Sequence, residues 1–214
     1  MNGLLEIIKH LQEEALKSRS QPIKIFVSST FMDLKKERQV VKSTINLCGC
    51  LPRLAEDADM QPGRNLGDQI SYWLRDIDIL VLLIAERYGE LSASQVSWTE
   101  TEVRKAVDQQ ITVFPYLVTK KIPFGMELDP DKRDRLKRFT EYLKHIPNQQ
   151  PPQRTKNTNE LAVRVARDIS GFQSDRRITN IMNRLLLVMQ KENEEEANIR
   201  QQREQESYFD SFVG

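Results

Sequence analysis

The run Ile79 to Ala85 (ILVLLIA) constrains this chain more than any other segment. It is far shorter than the roughly 20 apolar residues a membrane helix needs. It also lacks the polar alternation of a strand with one wet face, so it reads as a central strand covered on both sides. Ile23 to Ser28 (IKIFVS) reads the same way. Thr112 to Val118 (TVFPYLV) is a third strand; Pro115 has no ladder donor, which places it at or near a sheet edge, or at a bulge. A short, weak strand is expected at Leu51 to Ala55.

Helical patterns separate these runs. Asp33 opens one, with Leu34, Val41, Ile45 and Leu47 leading up to Gly49. Asn65 can cap a second, with Leu66, Ile70, Trp73 and Leu74 on one face. Ser97 opens a third, to about Gln110, and Asp129-Pro130 starts a charged fourth, to about Ile146. Asn148 to Asn157 reads as a polar loop, and Glu160 to Ile169 as a further helix ending near Gly171. Alternating strands and helices imply a parallel sheet with right-handed crossovers. The expected fold class is therefore α/β and flavodoxin-like, with helices on both faces.

Three segments follow from this pattern. Residues 1–21 carry Leu4, Leu5, Ile7, Ile8, Leu11 and Ala15 at amphipathic spacing, and 22–172 form the α/β domain. Residues 173–214 hold the stripe Ile178, Ile181, Met182, Leu185, Val188 and Met189, then a run of Glu, Gln and Arg that reads as a solvated helix or linker. Tyr208, Phe209, Phe212 and Val213 close it as an apolar cluster. The expectation is either a docking element for a partner or downstream domain, or a frayed end.

Composition excludes more than it assigns. A net charge of +1 gives no electrostatic case for nucleic acid or an anionic membrane. Cys48 and Cys50 sit too close in sequence for an ordinary disulfide, and His10 and His145 are isolated, so no metal site is expected. No secretory pattern opens the chain and no run could span a bilayer, so a cytoplasmic protein is expected.

In open parallel sheets, ligands sit outside the carboxyl ends of the strands, at the point where strand order reverses. That rule selects the loops after Val27 and after Ile84. The first is Ser28-Ser29-Thr30-Phe31-Met32-Asp33, whose hydroxyls and helix-leading position offer donors to an anion or a ribose. The plainer reading is that a hydroxyl or Asp33 caps the helix. The second is Ala85-Glu86-Arg87-Tyr88-Gly89, where Gly89 permits a tight turn and Arg87 offers a planar fork to phosphate or carboxylate. A surface ion pair for Arg87 and a core-edge ring for Tyr88 are the alternatives. In Ser97-Trp98-Thr99-Glu100-Thr101-Glu102, Ser97 and Glu100 have capping-box spacing, which makes Glu100 structural. Trp98 and Glu102 lie four apart on one helix face, an aromatic plane beside a carboxylate that suits a cationic or heteroaromatic ligand. A packed tryptophan beside a first-turn acid is the bland alternative.

These three pieces, in this order, resemble the TIR domain. The strand-end Ser28 with Asp33 five residues on, the strand Ile79 to Ala85, Tyr88, the serines Ser92, Ser94 and Ser97, and Trp98 with Glu102 all fit its pattern. More closely, IFVSSTFMDLKKER, DIDILVLLIAERYG and SWTETEVRKAV resemble a TIR-related domain family long described as of unknown function. That family commonly precedes NACHT or other STAND-type ATPase and repeat domains in large signalling or immune proteins. Catalytic TIR domains cleave NAD⁺ at the nicotinamide–ribose bond, commonly when clustered. The resemblance implies Glu102 as the catalytic glutamate, with Ser28, Ser29, Thr30, Phe31, Asp33, Arg87, Tyr88, Ser97 and Trp98 about the substrate. It implies self-association in immunity or anti-phage defence, NAD⁺ as substrate, and no prosthetic group. Thr30 stands where TIR proteins often have an aromatic residue, with Phe31 displaced by one, and Glu100 adds a second acid. A non-catalytic assembly module is the alternative, and a nucleoside deoxyribosyltransferase-like enzyme a third reading.

Overall fold

Two strands with no polar face lie side by side at the centre of a sheet. In the computed structural model, β1 (Lys24–Ser29) pairs in parallel with β3 (Ile79–Ile84), with Val27 opposite Val81 and Ser29 opposite Leu83. The structure describes residues 22–30, 33–55, 65–120, 129–147, 149–176 and 178–179. The sheet is all-parallel, in the order β2-β1-β3-β4-β5, with β2 at Leu51–Leu54, β4 at Thr112–Val118 and β5 at Gln153–Thr155. This is the flavodoxin-like order, and its reversal point lies between β1 and β3.

Alternation along the strands feeds two cores. Phe26, Leu80, Leu82, Ile84 and Val113 form one cluster with three helices. These are α2 (Leu66–Leu74) through Ile70 and Leu74, α3 (Trp98–Asp108) through Val103 and Ala106, and α4 (Pro130–Lys144) through Phe139 and Leu143. The alternate positions Ile25, Val27, Ile79, Val81 and Leu83 are buried on the other face. There the buried stripes are Val41 and Ile45 of α1 (Lys35–Leu47) and Leu161, Val165 and Ile169 of α5, which is helical over 158–176. All six β3 residues are buried, each worth roughly 1.5–3 kcal/mol, so one charge placed mid-strand would disrupt the sheet.

Helix starts follow the sequence signals at Asn65, Ser97 and Asp129, whose side chains accept from the backbone N–H of Asp68, Glu100 and Asp131. The first helix does not. It begins at Lys35 with Leu34 in the cap position and no side-chain cap. Leu34 is fully buried, and the carboxylate of Asp33 is taken by the Thr30 hydroxyl at 2.5 Å, so neither Asp33 nor a loop hydroxyl caps α1.

Two further differences lie after β4. The polar segment read as a loop contains β5, which pairs with Tyr116 to Val118. Gln149 closes the open stretch of β4, accepting from Val113 N–H and donating to the Ile111 carbonyl. Strand N–H groups two residues apart share a side, so the Pro115 nitrogen faces that same margin, where no ladder bond is lost. The last helix also runs through Gly171 instead of ending there. Asn157 caps it, and the Glu160 carboxylate reaches back to the Lys156 N–H, local bonds strong enough to start it early.

One compact unit spans Gln21–Ser170; residues 1–20 and 171–214 form a second. Of the second, residues 171–176 and 178–179 are described, all helical. The amphipathic helix expected over 1–21, the stripe beyond 180 and the terminal aromatic cluster lie outside the described residues, as does Phe31. Among the described residues, no helix is long and apolar enough to cross a membrane.

Candidate functional site at the ends of β1 and β3

The residues leaving β1 serve both faces of the sheet. Ser28 and Ser29 are successive strand positions, so their side chains point to opposite faces. Ser28, buried, donates its hydroxyl to Glu102 Oε2 at 2.5 Å. Ser29 Oγ accepts from Arg38 Nη1 at 3.3 Å, and the same guanidinium nitrogen donates to the Thr30 carbonyl at 3.2 Å. The turn into α1 is therefore held from within by a guanidinium that is only 5% exposed.

The β3–α3 connection comes close to this turn. Gly89 has φ +92, and a Cβ placed on it would lie 3.3 Å from Thr30 Cγ2 and 3.8 Å from Ser97 Cβ. Glycine suits the positive φ here, and a larger residue would also press on Thr30. The connection folds back on itself through a bridge between Leu91 and Ser97 and the bond from Trp98 N–H to the Glu90 carbonyl. That places Ser97 at the helix N-cap and the first turn of α3 over the end of β1.

The two acids of that turn take separate roles. Glu102 is 7% exposed and faces Ser28; Glu100 is 6% exposed and faces the other way. Glu100 Oε2 accepts from Tyr88 OH at 2.6 Å, and Oε1 accepts from Arg104 Nε at 2.8 Å. Tyr88 OH in turn accepts from Ser97 N–H at 3.4 Å. Burial pushes the Tyr88 phenol above its ordinary pKa, the bond to Glu100 adds to this, and the Ser97 backbone opposes it. Tyr88 is thus a core ring, edge-on to Phe139, with a polar tip in the helix cap.

Of the residues the sequence selects, Ser28 and Glu102 meet directly, while Thr30 lies against Gly89. Tyr88 and Ser97 join Glu100, and Asp33 is tied to Thr30. Arg87 is half-buried on the β3–α3 connection. Trp98 is not an exposed plane: it is half-buried and packs against the core cluster, because the first turn of α3 leans onto the sheet. Spacing alone does not select Arg38, Glu37 and Lys120. Lys120, just past β4, bonds the Asp33 carbonyl and lies 3.0 Å from Glu37 Oε2, joining that strand's end to the β1–α1 turn. Such a cross-chain tie leaves no local pattern, though a buried Glu-Arg pair in a first helical turn is its trace. Among the described residues, no group of three His, Cys, Asp or Glu side chains is placed to hold a metal ion.

The chain is similar to solved structures and matches one family model. No curated protein matches it. Similar solved structures include the TIR domains of the activated Roq1 resistosome recognising the pathogen effector XopQ, at 15% identity and TM-score 0.47, covering 69% of this chain and 99% of that one. The RPS4 and RRS1 TIR domain heterodimer is similar at 10% identity and TM-score 0.42, covering 71% and 97%. A diflavin flavoprotein A3 from Nostoc sp. is similar at 13% identity and TM-score 0.39, covering 69% and 89%. The family model that matches covers residues 24–170, and the chain belongs to that family, the domain of unknown function DUF4062.

Proposed function

We propose that this chain is a TIR-like effector domain that cleaves NAD⁺ at the nicotinamide–ribose bond, with Glu102 as the catalytic carboxylate. The observation that carries the reading is the meeting of Glu102 with Ser28, at the reversal point of a parallel sheet. In the reaction the C1′–N bond breaks and its electron pair leaves with neutral nicotinamide. The ribose left behind is oxocarbenium-like, and a fixed carboxylate beside it lowers the barrier by charge stabilisation. Water adds at C1′ and loses its proton to solvent, giving ADP-ribose.

The remaining residues have matching roles. Ser28 orients the carboxylate. Thr30, held by Asp33, and Arg87 face the ribose and diphosphate from the ends of β1 and β3, while Tyr88 and Ser97 act through the α3 cap, Trp98 through its packing under that helix and Ser29 through Arg38. Self-association activates the domain, in an immune or anti-phage setting, and residues 173–214 connect it to a partner or to a downstream ATPase of the NACHT or STAND type.

A second reading, a non-catalytic assembly module, is favoured by the burial of Glu102 and its engagement by Ser28, since such a bond also ties α3 to the sheet. Nicotinamide release by the full chain separates the two. The expected result is release from NAD⁺ that rises more steeply than protein concentration. Silence in demonstrably clustered protein favours the assembly module.

A further inference from the structure

We propose that Glu100 is a positioning residue: with Tyr88 and Ser97 on one side and Arg104 on the other, it fixes the rotation of the first turn of α3 and so the direction of the Glu102 carboxylate. This rests on the reading of Glu102 as the catalytic group.

The sequence spacing suggests a capping box, in which the acid three residues into the helix reaches back to the cap backbone. Half of that box is present, because Ser97 Oγ accepts from the Glu100 N–H at 3.1 Å. The other half is rerouted. The Ser97 N–H donates to Tyr88 OH, and Tyr88 OH donates to Glu100 Oε2. A side chain from the β3–α3 connection is thereby inserted into the cap of α3, so the helix start is registered against that connection and not only against itself.

The second carboxylate oxygen is engaged from within the helix. Arg104, one turn on, meets Glu100 Oε1 through Nε and Nη2, at 2.8 and 2.6 Å. Its guanidinium lies 4.4 Å from the centre of the Tyr142 ring of α4. Both oxygens of Glu100 are thus engaged, one by Tyr88 of the β3–α3 connection and one by Arg104 of α3 itself, whose guanidinium rests on Tyr142 of α4, which leaves it unsuited to attack or proton transfer. Residues two apart on a helix point about 200° from one another. A clamp on Glu100 therefore fixes Glu102 on the opposite side, facing Ser28. Misplacing a reacting group by about 1 Å can cost a hundredfold in rate.

The test compares Glu100→Ala, Glu100→Gln and Tyr88→Phe with the wild-type full chain. NAD⁺ cleavage is followed for kcat and KM, together with the carboxyl ¹³C signal of Glu102 assigned by its loss in Glu102→Gln. Glu100→Ala and Tyr88→Phe are expected to lower kcat about tenfold to a hundredfold, change KM less than about threefold, and shift the Glu102 signal. Glu100→Gln keeps an acceptor for Tyr88 but turns an amide N–H₂ towards Arg104, so its kcat is expected to fall between those of Glu100→Ala and wild type. A kcat within about twofold of wild type in Tyr88→Phe and Glu100→Ala, with the Glu102 signal unmoved, overturns the proposal. If wild-type protein releases no nicotinamide, the NAD⁺ reading falls and the carboxyl signal alone decides: movement supports positioning, and an unmoved signal overturns it.

Discussion

Ser28 and Glu102, 74 residues apart in sequence, are joined by a 2.5 Å hydrogen bond in the interior of the domain. The bond links the end of β1 to the first turn of α3, so it belongs to both the stability of the fold and the chemistry proposed for it. Ser28→Ala leaves a buried carboxylate without this donor and is expected to cost about 1–3 kcal/mol, read from urea unfolding. Combined with Glu102→Gln in a double-mutant cycle, the two losses are expected to be non-additive. Additive losses would mean that the contact contributes nothing.

Gly89 is where the two loops touch. Gly89→Ala must hold an L residue at φ +92 with its Cβ 3.3 Å from Thr30 Cγ2. The expected cost is about 1–2 kcal/mol from backbone conformation alone, with a further loss if Thr30 cannot yield. A Tm unchanged from wild type would contradict this.

Alkaline stability depends on Tyr116. Its phenol donates to Asp168 Oδ2 at 2.8 Å, and its pKa is pushed far above the ordinary tyrosine value, first by burial and then by the Asp168 charge. A pKa raised on folding means that the stabilisation is complete below the unfolded value of about 10 and is lost as pH rises beyond it. The stability advantage of wild type over Tyr116→Phe is therefore expected to be constant between pH 7 and 9 and to shrink towards pH 11. Urea midpoints of both proteins across that range give the answer; a gap that stays constant to pH 11 would rule out the coupling.

Where a signal is local, the sequence is a good guide. The apolar runs at 23–28 and 79–85 become the two central strands, and Asn65, Ser97 and Asp129 cap their helices as their types predict. Features made by distant partners are harder to read. β5 has only three residues, in a polar and proline-containing segment, and is a strand because β4 offers it an edge. The burial of Leu34 fits the apolar spacing of α1, but Arg38 bracing the turn in place of a side-chain cap is something spacing cannot express. The importance of the loops after β1 and β3 follows from the apolar pattern and the parallel-sheet rule, while the direct contact of Ser28 with Glu102 appears only in the fold. The insertion of Tyr88 into the α3 cap does not, because capping-box spacing looks the same whether the acid reaches the backbone directly or through a third side chain.

The central claim concerns the Glu102 carboxylate, and the most direct test is nicotinamide release by Glu102→Gln against wild type, in clustered protein of this chain with matched fold and assembly. Glutamine preserves shape and can still accept from Ser28, so only the charge is removed. The predicted result is release by wild type and a loss of about a hundredfold or more in the variant. Release by Glu102→Gln within twofold of wild type would contradict the account.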